Sequence, residues 1–281
     1  MPVAADMLND AAELPEQTAM EYIPSDLPQL AEYWVMLIRL SKLLGDVLLL
    51  SYRPSGPLPT LQQVEALEAE IMLSRIPDIY RPHQSRLGTF YQYHLQLHYQ
   101  AVLITFYRPF ITRTPENLEA EHQEAWQIQV RNKIDVAALN TNGILDIITR
   151  ENLLQFAGPM TPPLLVPAMH IHLLKCKSPN VLSRSLGLNK LEFCMMVMAE
   201  LQNTHTSPAV YRGIFLEAIR QLFPDYKVQT SIPDFNPSEL SVPYEAAAEG
   251  PSENLMVTDD IVNALMDEVS LVNFWESLSQ M

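Results

Sequence analysis

Cysteine is nearly absent: Cys176 and Cys194 are the only two in 281 residues. Two thiols cannot build a disulfide framework or a zinc cluster, and they predict a reduced, intracellular setting. Glycine is scarce too. The eight glycines stand apart from one another, which excludes a Gly-rich phosphate loop. No apolar run approaches the ~20 residues of a membrane helix. The longest apolar-leaning stretch, Tyr33 to Tyr52, is broken by Arg39, Lys42 and Asp46, so no membrane association is expected. The opening MPVAADMLNDAAEL has no basic stretch followed by an apolar core and predicts no secretory leader. Basic residues are missing from the chain's end. All 18 Lys and Arg lie at or before Lys227, and ten acids follow it. Of the net charge of -15, -10 therefore belongs to the end; 18 bases against 23 acids leave -5 for the body. Neither part offers the dense positive patch that phosphate neutralisation requires, so this chain alone is a poor candidate for binding DNA.

What is present is helical periodicity. The stretch Arg86 to Phe110, RLGTFYQYHLQLHYQAVLITFYRPF, carries Leu87, Tyr91, His94, His98, Ala101 and Thr105 at helical spacing. Phe90, Leu97, Ile104 and Phe106 widen that stripe, so this helix needs burial on more than one side and takes the centre of the fold. Arg108-Pro109 ends it, because the proline ring has no donor and disfavours α geometry in the residue before it.

Around it, Asp26 to Ser51 reads as a long helix with Leu30, Tyr33, Trp34, Leu37, Leu44, Val47 and Leu48 on its apolar face. Thr60 caps a helix from Leu61 to about Arg75, with Val64, Leu67, Ile71 and Met72 on the buried side. Thr114-Pro115 resembles a helix start for a segment carrying Leu118, Trp126, Ile128, Val130 and Ile134 to about Asn140. A further helix is expected from Ile144 towards Phe156. Leu164–Cys176, Leu186–Gln202 and Ala209–Phe223 complete the set. The sum is an all-α, irregular domain of about seven or eight helices joined by proline-bearing turns.

The domain boundaries follow composition: 1–25 a flexible segment or one short docked helix, and 26–226 the helical body. Residues 227–257 form a disordered acidic Pro/Ser linker, and 258–281 an acidic amphipathic segment. In that segment, TDDIVNALMDEVSLVNFWESLSQM, Ile261, Leu265, Val269 and Val272 make one stripe, extended by Phe274, Trp275 and Leu278. An acidic, aromatic-containing helix of this kind suits helix-in-groove recognition by a partner, and acidic activation segments share the composition. The competing reading is a terminal helix that folds back on its own domain.

Two histidine pairs invite a metal. His94 and His98 lie one turn apart, but Leu95 stands where a zinc hydrolase motif needs its glutamate. His172 and Cys176 are also one turn apart, beside His170, without a convincing fourth ligand. All are expected to be packing residues. No catalytic residue, bound cofactor or metal site is expected in this chain, and no enzymatic activity.

The Tyr- and His-rich helix closing on Tyr107-Arg108-Pro109-Phe110 resembles the middle homology region of fungal binuclear-zinc-cluster transcription factors, in particular their cutinase-transcription-factor-like branch. The likeness extends from about Leu30 to Phe223, with Tyr91, His94, His98, Arg108, Pro109 and Phe110 as motif positions of structural role. It implies a nuclear regulator of RNA polymerase II transcription, controlling a metabolic or secondary-metabolite gene set. The expected partners are coactivators or mediator-type proteins and a second zinc-cluster factor, in a homo- or heterodimer. Zinc is expected only in the family's N-terminal six-cysteine cluster. This sequence lacks that cluster, so it is expected to be a C-terminal fragment, a truncated gene model or a factor without its DNA-reading module. In the family the middle region is regulatory, a role that maps to helices around His94, His98 and Arg108. Two alternatives stand beside this reading: a helical small-molecule sensor or enzyme with an apolar pocket, and a non-DNA-binding partner that inhibits an intact zinc-cluster factor.

Overall fold

The structure, a computed structural model, describes residues 3–53, 56–76, 84–224, 226 and 262–263. Side-chain caps set where several helices begin. Thr60 Oγ1 accepts from the Gln63 amide at 3.3 Å while Gln63 Oε1 accepts from the Thr60 amide at 2.9 Å, a reciprocal box that opens α4, Leu61–Leu73. Ser85 Oγ accepts from the Gly88 amide at 2.9 Å and opens α5, Arg86–Tyr107. Asn180 Oδ1 accepts from the Ser183 amide at 3.1 Å and opens α8, Val181–Leu201, five residues ahead of the start that spacing predicts. The remaining helices are α1 (Ala4–Ala12), α2 (Glu16–Tyr22), α3 (Leu27–Ser51), α6 (Gln123–Arg150), α7 (Thr161–Cys176) and α9 (Ser207–Leu222). The architecture is all-α: the described residues form nine α-helices and short 3-10 turns, and no strand.

Helix α5 is the axis. It packs against α3, α6 and α7, and it is buried along its length from Gly88 to Tyr107. Two apolar cores meet on it. One joins Leu40 and Val47 of α3, Val64 and Ile71 of α4, Phe106 and Tyr107 of α5, and Ile134 of α6. The other joins Phe90 and Leu97 of α5 to Leu145, Leu165, Met169, Leu191, Phe215 and Ile219 of the later helices. Arg108-Pro109 ends the α-helix as the sequence predicts, and the chain continues as one 3-10 turn, Arg108–Ile111.

Several details differ from the sequence reading. Residues before Ser25 form two helices, of which α1 lies against α3. Thr114-Pro115 starts no helix. The Leu61 amide, an orphan donor at the first position of α4, takes the Glu116 carbonyl at 3.0 Å, and the Glu116 amide returns to Pro59 O at 2.9 Å. That pairing holds 114–116 out of a helix, Asn117 turns the chain at φ 67°, and α6 begins only at Gln123. Once started, α6 runs unbroken to Arg150, through Gly143, because Thr141, Ile144, Leu145 and Ile148 continue its buried stripe. Trp34, Leu48, Met72 and Ile128 are exposed although spacing assigns them to buried faces. Outer helices such as α3 and α4 meet neighbours over a narrower arc than their apolar arc.

The predicted linker and nearly all of the acidic segment fall outside the described residues. Val262 and Asn263 are the exception: both are helical, and Val262 is completely buried in the second core. The start of the C-terminal segment thus packs on the body, across 35 intervening residues from Tyr226.

Helices α7 and α8 approach closely at Gly187, where an added Cβ would lie 3.0 Å from His172 O and 2.8 Å from Lys175 Cβ. The His172 carbonyl is main chain and cannot turn aside. Gly187→Ala is expected to destabilise the fold by about 1–3 kcal/mol, despite alanine's better helix propensity. Gly143→Ala, with nothing within 4 Å of the new methyl, should stabilise by up to about 1 kcal/mol. Urea midpoints of the two variants check the opposite signs.

Candidate functional site

The chemistry-bearing residues of α5 face α7 and its surroundings. His94 is buried, stacks on Phe90 with ring centroids 5.3 Å apart and shares a hydrogen bond with Thr161 Oγ1 at 3.1 Å. His98 meets it edge-on at 4.9 Å, and its Nε2 has no hydrogen-bond partner. Burial lowers both imidazoles to about 4, and for His94 the neighbouring His98 lowers it further. Both rings are therefore neutral at pH 7. No third ligand joins them among the described residues; the one trio of potential ligands there, Glu119, Glu121 and His122, is fully on the surface.

The second pair is a polar clasp between α6, α7 and α8. Asn142 donates through Nδ2 to Lys190 O at 3.0 Å and to Cys194 Sγ at 3.7 Å, which aims its Oδ1 at His172 Nε2, 2.5 Å away. His172 must then donate from Nε2. Burial first, then Lys175 and Lys190, lower it to about 4. Cys176 donates to His172 O at 3.3 Å, and burial pushes its thiol up to about 12, with Glu192 acting in the same direction. A thiol so hard to ionise suits the packing role that the sequence reading expects of it.

Arg108 closes α5. Its Nη2 donates to His170 Nε2 at 3.1 Å, so His170, completely buried, carries its proton on Nδ1. No carboxylate pairs with Arg108 among the described residues. Burial lowers its guanidinium to about 10, and the carbonyl end of α5 compensates in part. Tyr52 donates to Thr105 O at 2.8 Å nearby, and burial raises its phenol to about 12 against the opposing pull of Arg108. Pro109 and Phe110 are buried, with Phe110 edge-on to Trp126 at 6.3 Å. Tyr91 instead sits half in solvent, touching Phe90 and His94 by ring edges.

His94 and Arg108 are fourteen residues apart, roughly 21 Å along the helix axis. His94 and Arg108 are therefore separate polar pins between α5 and α7, and His98 packs against His94 with no bond from its Nε2. Ile261, Leu265, Val269, Val272, Phe274, Trp275 and Leu278 lie outside the described residues, so only their neighbour Val262 is placed.

Sequence reading missed a third polar cluster. Tyr107 donates to Glu68 Oε1 at 2.6 Å, Lys133 pairs with the same oxygen, and its ammonium lies 5.1 Å from the Tyr107 ring centre. Burial, then the Glu68 bond and charge, raise the Tyr107 phenol. These residues sit 26 to 65 positions apart on three helices, and no local pattern connects them. Beside them runs a groove of about 380 Å³ lined by Met72, Gln100, Leu103, Tyr107 and Val136.

Because His94, His98 and His172 fall from 6.5 to about 4 on folding, the unfolded chain takes up those protons first. Their contribution is complete above about pH 6.5 and is lost as pH falls towards 4, at up to about 1.4 kcal/mol per pH unit for each ring. His98→Leu removes one such group together with an unpaired buried nitrogen. The variant is expected to match or exceed the parent at pH 7 and to show a flatter decline below 6.5, read from denaturation midpoints across pH. An unchanged slope would contradict the buried neutral state.

Compared with known proteins, the chain matches no family model, no curated protein and no solved structure.

Proposed function

We propose that this chain is a regulatory component of fungal RNA polymerase II transcription, in which an all-α body carries an acidic amphipathic segment for coactivator or mediator-type proteins. The observation that carries the proposal is the division of charge along the chain: a body of -5 and an end of -10 that contains Phe274 and Trp275 and no base. Acidic surface around apolar anchors is what helix-in-groove partners select. The motif positions His94, His98, Arg108, Pro109 and Phe110 serve as core and helix-end chemistry, in keeping with the regulatory region they resemble. Histidines held near 4 are far from the near-neutral values that favour general bases, which supports a binding role over an enzymatic one. In this reading the protein acts in the nucleus and regulates metabolic or secondary-metabolite genes. DNA contact falls to a zinc-cluster module, on a partner factor or elsewhere on the same polypeptide.

Val262 adds a constraint to the proposal. Leu265 and Val269 stand three and seven positions beyond it, helical spacing for one shared face. Docking on the body and capture by a partner then draw on the same stripe and compete. A second reading, the small-molecule sensor, is favoured by Gln100: its Oε1 is buried without a partner on the wall of the groove beside Tyr107.

Fusing residues 254 to 281 to a heterologous DNA-binding domain tests the main reading. Reporter output is expected to rise, and to fall to background when Phe274→Ala and Trp275→Ala are combined. In a fusion of the full chain, Val262→Asp should increase output by undocking the segment. A segment that leaves the reporter unchanged sinks the activation role.

A further inference from the structure

A further pocket with polar lining lies where α3 ends and the turn after α5 begins. Ser51, Arg53, Leu58, Pro109, Phe110 and Arg113 line a pocket of about 160 Å³ there, roughly the volume of five liquid waters at ~30 Å³ each. Its polar wall is cationic. Neither the Arg53 nor the Arg113 side chain meets a carboxylate or any other hydrogen-bond partner among the described residues, in a chain whose net charge is -15. The Ser51 hydroxyl on the same wall is sequestered from solvent and has no partner either. Two guanidinia on one pocket lining, neither with a hydrogen-bond partner among the described residues, leave donors that an oxyanion would satisfy. The opposite wall is apolar: the Phe110 ring, the Pro109 ring and Leu58.

We propose that this pocket binds a small organic acid, a carboxylate or phosphate head on a short apolar stem. The head accepts from the Arg53 and Arg113 guanidinia, while the stem lies against Phe110 and Leu58. The planar guanidinium fork matches either oxyanion. One effect opposes binding: Ser51 is the last residue of α3, and the carbonyl end of a helix disfavours an anion. Charge-assisted hydrogen bonds from two arginines are the stronger effect. Such binding needs no part of the transcriptional reading and is independent of the C-terminal segment.

The experiment titrates the full chain, followed by backbone amide shifts in NMR, with butyrate, propyl phosphate, inorganic phosphate and the neutral isostere butyramide. At least one of the two organic acids should give saturable shifts confined to Ser51, Arg53, Leu58 and Arg113, with Kd of about 1 mM or tighter, and butyramide should give none. Arg53→Gln and Arg113→Gln should each weaken binding about tenfold. Arg131→Gln, on the exposed side of α6, should leave it unchanged, and raised salt should weaken it. Unliganded spectra of each variant report whether the fold is intact. Equal binding of butyramide, affinity indifferent to both arginines, or no saturable shift with either organic acid overturns the proposal. Inorganic phosphate binding as tightly as the organic acids overturns the apolar stem.

Discussion

Everything in this fold depends on burying α5, a helix whose inner faces are not purely apolar. Gln92, His94 and Gln100 are buried along with Phe90, Leu97 and Phe106. A buried polar group without a partner costs about 1–3 kcal/mol, whereas a made hydrogen bond returns only about 0.5–1.5. The surrounding helices are therefore constrained to bring partners to fixed places. Thr161 at the start of α7 meets His94, and His170 two turns further along meets Arg108. Asn142 performs the same service one layer out, tying α6 to His172 and to the backbone of α8. These bonds contribute little net energy; they set the register of α7 against α5 and α6, which apolar packing alone leaves free to slide.

Most of the helices could be read from the sequence because their signals are local. Period, the Thr60 box and Arg108-Pro109 each act within a few residues, and α3, α4 and α5 follow those signals to within about two positions. The misreadings occurred where a tertiary partner overrode local chemistry. Thr114-Pro115 has the residues of a helix start, yet the orphan amide of Leu61 claims the Glu116 carbonyl and keeps that stretch out of a helix. The sequence reading ends one helix near Asn140 and starts another at Ile144, but Gly143 between them sits in α6 with open space around it, and the buried stripe carries through. The polar pairings had no sequence signal at all. Glu68 and Lys133 lie 65 positions apart, and Asn142 precedes His172 by 30. What spacing did establish about the histidines was negative, the missing glutamate between His94 and His98, and their depressed basicity follows from burial that only the packed helices reveal.

The terminal segment was read as two competing possibilities, partner capture or return to its own domain. Val262 gives the second a definite foothold, and magnitudes show why the first survives beside it. Burying one valine side chain is worth about 1.5–3 kcal/mol, while ordering each residue of backbone costs about 1–2 kcal/mol. Among the described residues of the segment Val262 is the one buried anchor, and by itself it offsets the ordering of only about one or two residues. Electrostatics oppose docking too, because the body carries -5 and the end -10, although screening confines that repulsion to about 8 Å at physiological salt. The foothold that is described, Val262, is an apolar one. A partner that offers a positively charged rim around an apolar groove gains both the contact and the attraction that the protein's own body withholds. In the proposed activation role, the acidic composition of the end is what a partner's basic rim would read, a charge-based preference that the acidic body does not offer.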